Sequence, residues 1–153
     1  MTERPGTLVV QKTIAATPER LFAAWTEPDA LRQWWGPDGV TCVDPQVDLR
    51  VGGRYRIGNR LPDGSILWIV GEFEAVEPPN RLVYTWRLEG GSESAERVTV
   101  CFEGRGTATE VIVSHALIAT ETLRDQHRQG WEGCLASLAR HAAAGPAENR
   151  MEP

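Results

Sequence analysis

Two hydrophobic periods alternate along the chain, and the places where one gives way to the other mark its elements. Leu8, Val10 and Ile14 alternate with their neighbours over residues 8–14, the pattern of a half-buried strand. Lys12 shares their parity, which predicts a stem lying along the strand end with its ammonium in water, or else a cation facing a pocket. At Thr17-Pro18 the period lengthens. Thr17 is a good N-cap, and Pro18 suits the first helical position, where its missing N–H costs nothing. Leu21, Phe22 and Trp25 follow at helical spacing. A second short helix starts at Pro28 behind the weaker cap Glu27, places Leu31, Trp34 and Trp35 on its apolar side, and stops at Gly36-Pro37.

From Val40 to Leu117 the period is two. Strands are predicted over 40–49, 53–60, 66–76, 81–88, 95–103 and 109–117. Turn chemistry separates them: Gly52-Gly53, Pro62-Asp63-Gly64, Pro78-Pro79-Asn80, Gly90-Gly91-Ser92 and Gly104-Arg105-Gly106. Connections this short join antiparallel neighbours, so the strands are expected to form a meander. The period then returns to helical over 122–143, with Leu123, His127, Trp131, Cys134, Leu135 and Leu138 on one stripe. Gly130 interrupts this helix and suggests close backbone packing there. An antiparallel sheet with one apolar face must cover it, and the terminal helix is the only element long enough. The expected fold is therefore α+β: about seven curved antiparallel strands, two short helices after the first, and a long C-terminal helix packed across the sheet. One domain is expected over 1–146, with the polar residues 147–153 as a flexible tail.

Length and composition agree with one globular domain: 153 residues, 41% hydrophobic and 24% charged. The net charge of −5 and the pI of about 5.2 argue against a nucleic-acid binder, and the sixteen basic residues, all arginine but for Lys12, form no run. No apolar stretch approaches the ~20 residues of a membrane span, and the first residues lack the apolar core of a signal peptide. Cys42, Cys101 and Cys134 are far apart and odd in number, which suits small apolar residues in a reducing compartment. A cytoplasmic protein that engages neither membrane nor nucleic acid is expected, with homodimerisation left open.

The chain has no Gly-x-Ser-x-Gly elbow and no phosphate-binding loop. His127 lies roughly 21 Å along the helix from His141 and about 10 Å from Cys134, so neither pair can share a metal ion. His115 would need carboxylates converging from other strands, and the spacing indicates none. No metal and no cofactor are expected. Alternation places Tyr55 and Ile57 on the inner face, then Ile69, Gly71 and Phe73, then Leu82, Tyr84 and Trp86, then Val98, Val100 and Phe102, then Val111, Val113 and His115. Trp68 has the opposite parity from Phe73, and Phe73 is expected inside. Tyr55, Tyr84, Trp86 and His115 carry polar groups that need a partner or a ligand if buried. For His115 three roles stay open: a core histidine bonded to backbone, a polar anchor in a pocket, or a general acid/base. His127 and Trp131 share one helix face by their four-residue spacing.

With the elements in this order, the chain resembles the SRPBCC superfamily, the START-like, birch-pollen-allergen-like helix-grip domains. Within it, the chain is most similar to the branch named for the activator of the heat-shock chaperone ATPase. The resemblance rests on Ala16-Thr17-Pro18-Glu19-Arg20-Leu21-Phe22-Ala23-Ala24-Trp25, Trp34-Trp35-Gly36-Pro37, Asp48-Leu49-Arg50-Val51-Gly52-Gly53-Arg54-Tyr55, Gly71-Glu72-Phe73, Pro78-Pro79-Asn80-Arg81-Leu82 and Gly130-Trp131-Glu132-Gly133-Cys134-Leu135. It implies an apolar cavity between the long helix and the sheet, able to take an apolar, aromatic, polyketide-like or lipid ligand. Tyr55, Ile57, Phe73, Tyr84, Trp86, Phe102, His115 and Trp131 are the candidate ligand-binding residues, and no catalytic residue is assigned. Two other roles follow from the same resemblance: a co-chaperone or protein-interaction module of the stress response, and a polyketide cyclase-like enzyme working through His115. Eukaryotic co-chaperones of this branch carry a separate N-terminal domain, for which these residues leave no room.

Overall fold

Alternation becomes seven strands in the computed structural model, which describes residues 6–37, 39–91 and 94–144. The expected tail at 147–153 and Ser92 of the predicted turn lie outside those residues. The strands are β1 (Leu8–Ile14), β2 (Thr41–Val47), β3 (Arg54–Arg60), β4 (Ile66–Glu77), β5 (Arg81–Leu88), β6 (Glu96–Arg105) and β7 (Ala108–Ala116). They form one curled antiparallel sheet in the order β1-β7-β6-β5-β4-β3-β2. The meander is thus as expected, and β1 returns to pair with β7, Val10 opposite Val113. Lys12 is exposed, the first of its two predicted positions.

Two irregularities bend the sheet. The register shifts between Val43 and Gln46 in β2, where Asp44 has φ of 45°, and between Phe73 and Ala75 in β4. Such bulges sharpen local twist, which lets the sheet curl around its apolar face. At Gly71 of β4 a Cβ would collide with the carbonyl oxygen of Thr85 and the ring of Tyr55, so only glycine admits this close approach. Parity holds elsewhere. Phe73 is buried, while Trp68 faces outward beneath Arg56, whose guanidinium carbon lies 3.7 Å from the ring centre.

The helices are α1 (Pro18–Thr26), α2 (Pro28–Trp34) and α3 (Glu121–Ala143). Thr17 caps α1 by accepting from the Arg20 N–H at 3.2 Å, whereas Glu27 makes no side-chain cap for α2. The long helix α3 buries Trp131, Cys134, Leu135, Leu138 and Ala142 on the sheet. It is latched to the short helices at two places. Ser137 Oγ donates to the Trp34 carbonyl at 2.6 Å, and Arg20 donates to the Ala142 carbonyl at 2.7 Å. The close approach expected at Gly130 lies instead one turn later. Nothing lies near a Cβ built on Gly130, while one on Gly133 would overlap Pro37. This antiparallel sheet gripped by a long C-terminal helix is the helix-grip α+β fold. Among the described residues no helix is long and apolar enough to cross a membrane.

Candidate functional site

The concave face carries two adjoining features, an aromatic void and a polar network beside it. The void is walled by Trp25 of α1, Leu31 and Trp35 at α2, Val47 of β2, Tyr55 and Ile57 of β3, Ile69 and Phe73 of β4, and Tyr84 and Trp86 of β5. Its rings pack edge to face: Tyr55 on Tyr84 at 5.2 Å and Phe73 on Tyr84 at 6.0 Å. Their polar handles are used internally. Tyr55 donates to the Thr85 carbonyl at 2.6 Å, the Trp25 N–H reaches the Tyr84 oxygen at 3.3 Å, and Trp35 donates to Asn59 Oδ1 at 3.0 Å. Burial pushes both phenols up, so both stay neutral and able to donate.

The void is small. It measures about 20 Å³, room for roughly one water, where preformed small-molecule pockets run from ~300 Å³. The preformed cavity implied by the resemblance is therefore closed in this conformation, filled by the indole rings of α1, α2 and α3. Trp25 stacks on Trp131 at 6.0 Å, and Trp35 meets Trp131 edge-on at 5.9 Å.

Of the candidate ligand-binding residues, the structure brings Tyr55, Ile57, Phe73, Tyr84 and Trp86 around the void. Phe102 packs away from it, against Phe22 at 5.6 Å and Trp25 at 5.9 Å. His115 and Trp131 belong to the polar network. There Trp131 Nε1 donates to His115 Nδ1 at 2.9 Å, and His115 Nε2 meets Glu96 Oε1 at 2.7 Å. His127 Nε2 meets the same carboxylate oxygen at 2.9 Å. The two imidazoles stack with centres 4.4 Å apart, and Trp86 stands edge-on to both. The expectation that no carboxylate converges on His115 is overturned. Glu96 does so from the neighbouring strand, two residues before Val98, the register partner of His115.

The indole N–H can only donate, so His115 Nδ1 must present its lone pair and Nε2 must carry the proton. His115 is thereby held as one neutral tautomer, fully buried. Burial, together with the adjacent His127, lowers its affinity for a second proton, although Glu96 pulls the other way. Burial alone would raise the Glu96 carboxyl. The two histidine hydrogen bonds outweigh it and hold the group at about 2.

Glu96, His115 and His127 offer ligand atoms within 4.8 Å of one another, and their chemistry tests whether they suit a metal. A cation on His115 Nε2 would drive its proton onto Nδ1, against the Trp131 N–H. Metal-bound histidines instead donate their second N–H outward. While the Trp131 hydrogen bond stands, His115 Nε2 keeps its proton and offers no lone pair to a cation.

These ionisations predict an acid-side loss of stability. Both groups bind protons less tightly in the folded than in the unfolded chain, so the unfolded state takes up more protons as pH falls. The contribution of His115 is present above about 6.5 and declines below it, and that of Glu96 declines from about 4.5 toward 2. Urea midpoints measured from pH 8 to pH 3 should fall in both windows, and a flat midpoint between pH 7 and 5 would show that His115 is not held neutral.

Comparison with known proteins follows the same architecture. Protein CV1439 from Chromobacterium violaceum is 25% identical, with TM-score 0.83 over 94% of this chain and 99% of its own. The AHSA1 protein SPO3351 from Silicibacter pomeroyi is 25% identical, with TM-score 0.82 over 92% and 99%. CalU16 from Micromonospora echinospora, at 24% identity and TM-score 0.70 over 94% and 79%, shares the fold. No curated protein matches the sequence. The family model described as Activator of Hsp90 ATPase homolog 1-like protein (AHSA1) matches residues 15–143, and the chain belongs to that family.

Proposed function

We propose that the chain is a small-molecule binding module, taking apolar or aromatic ligands where the aromatic void now lies. One observation carries this reading. The inner face continues beyond its helical cover: Trp86 is only half-buried, and Leu67 and Leu88 share the inward parity of Ile69 and Trp86 yet are 42% and 39% exposed. An uncovered apolar edge leading into an aromatic-lined void is a path by which a flat molecule can wedge in and displace rings. The closed void implies opening on binding, with Trp86 as the mobile wall. A cytoplasmic setting belongs to this reading and accords with the free thiols of Cys42, Cys101 and Cys134.

Chaperone activation and cyclase-type catalysis through His115 have weaker support. Val51 and Leu117, the most exposed large apolar side chains among the described residues, lie in separate connections, the β2–β3 turn and the β7–α3 link, and both ring nitrogens of His115 are occupied within the protein. A thermal-shift screen of aromatic polyketides, flavonoids and fatty acids should give saturable stabilisation by at least one class. Ligand at 100 times its dissociation constant adds about 2.7 kcal/mol. A broad screen without any saturable shift, together with unchanged Trp fluorescence, would end the binding-module reading.

A further inference from the structure

The polar network leaves one chemical group unused. His115 has both nitrogens engaged inside the protein, but His127 has only one. Its Nε2 faces Glu96, whose oxygen already receives the His115 N–H, so the Glu96 oxygen acts as acceptor and His127 Nε2 carries a proton. In the neutral ring Nδ1 is then a lone pair. It has no hydrogen-bond partner among the described residues, and no unpaired side-chain nitrogen among them is sealed from solvent. Nδ1 therefore reaches water, consistent with the 12% exposure of the side chain. The ring sits 4.9 Å, edge to face, from Trp86, the half-buried wall of the void.

We propose that His127, oriented by Glu96, is the polar anchor of the cavity, and that it selects flat apolar ligands carrying a hydroxyl donor, such as phenols. The proposal rests on the binding reading above and adds the ligand's chemistry. A carboxylate behind an imidazole fixes which nitrogen is left as acceptor, and here that nitrogen reaches solvent on a ring that stands against Trp86 of the void wall. Ethers and bare hydrocarbons would meet that lone pair without a proton to share. Stacking on His115 and the edge-to-face contact with Trp86 keep the ring from swinging away.

The test is calorimetric titration of the whole protein with 2-naphthol, 2-methoxynaphthalene and naphthalene. These share one flat body, and only the first can donate. Wild type should bind 2-naphthol about fivefold more tightly than the ether, the scale of one hydrogen bond. His127→Phe should bring that ratio to about one while retaining affinity for the ether, and Glu96→Gln, which releases the ring's orientation, should lower it too. Should His127→Phe fail to fold, His127→Leu provides the same comparison. Equal binding of naphthol and ether by wild type would overturn the anchor and leave the binding module standing. A His127 variant that weakens all three probes alike, with the ratio intact, would make the ring a mere wall and overturn the anchor as well. Binding of none of the three would overturn the anchor, and the screen above would separately decide the module.

Discussion

Trp131→Ala should lower the unfolding free energy by ~3–5 kcal/mol, the range for removing a large buried aromatic side chain. Trp131 is 5% exposed, stacked on Trp25 and edge-on to Trp35, so its loss leaves a hole between all three helices and the sheet. It also removes the donor that His115 Nδ1 accepts from, leaving a buried nitrogen unpaired. Urea denaturation would read the sum, and Trp131→Phe would divide it. Phenylalanine restores most of the volume but not the N–H, so its cost should fall between that of alanine and that of wild type. A loss below ~1 kcal/mol for alanine would show that the ring is not packed as described.

Deleting residues 121–153 should abolish cooperative unfolding altogether. The helix α3 buries Trp131, Cys134, Leu135, Leu138 and Ala142. At ~1.5–3 kcal/mol for each large side chain, that burial approaches the whole ~5–15 kcal/mol by which a domain is stable. Its removal would also expose His115, Val98 and Val113, all now fully buried at the heart of the sheet. Circular dichroism with heating should show a broad, gradual change. A truncated chain that still melts sharply, with native-like near-ultraviolet signal, would mean that the sheet has another cover.

Element placement was legible because it depends on local regularities. Thr17-Pro18 starts α1, and Gly36-Pro37 closes the segment after α2 at the expected positions, since caps and breakers act within a few residues. The inward parity of Tyr55, Phe73, Tyr84 and His115 follows from the pleat alone, and all four are buried. Glu96 was equally within reach: it shares parity with Val98, Val100 and Phe102, and counting the alternation back two residues puts it inside. A charged residue at a strand's end is ordinarily solvated, so parity alone does not mark Glu96 as buried. His127 lay on the correct face of the helix, but whether that face ends in water or on Glu96 depends on where α3 crosses the sheet.

The helix-grip plan is legible along the chain: seven strands, two short helices and a long closing one, with the inner side chains assigned by parity. Periodicity and turn chemistry suffice for that, because both are properties of neighbouring residues. How full the interior is, and what meets inside it, follows from the folded packing instead. Trp25, Trp35 and Trp131 come from three segments, and their volumes close the void because the curl of the sheet draws those segments together. Glu96, His115, His127 and Trp131 likewise come from two strands and a helix, and join through the β6–β7 register and the α3 crossing. Distances of 2.7–2.9 Å among them depend on the packing of the whole domain, and no local pattern along the chain encodes that.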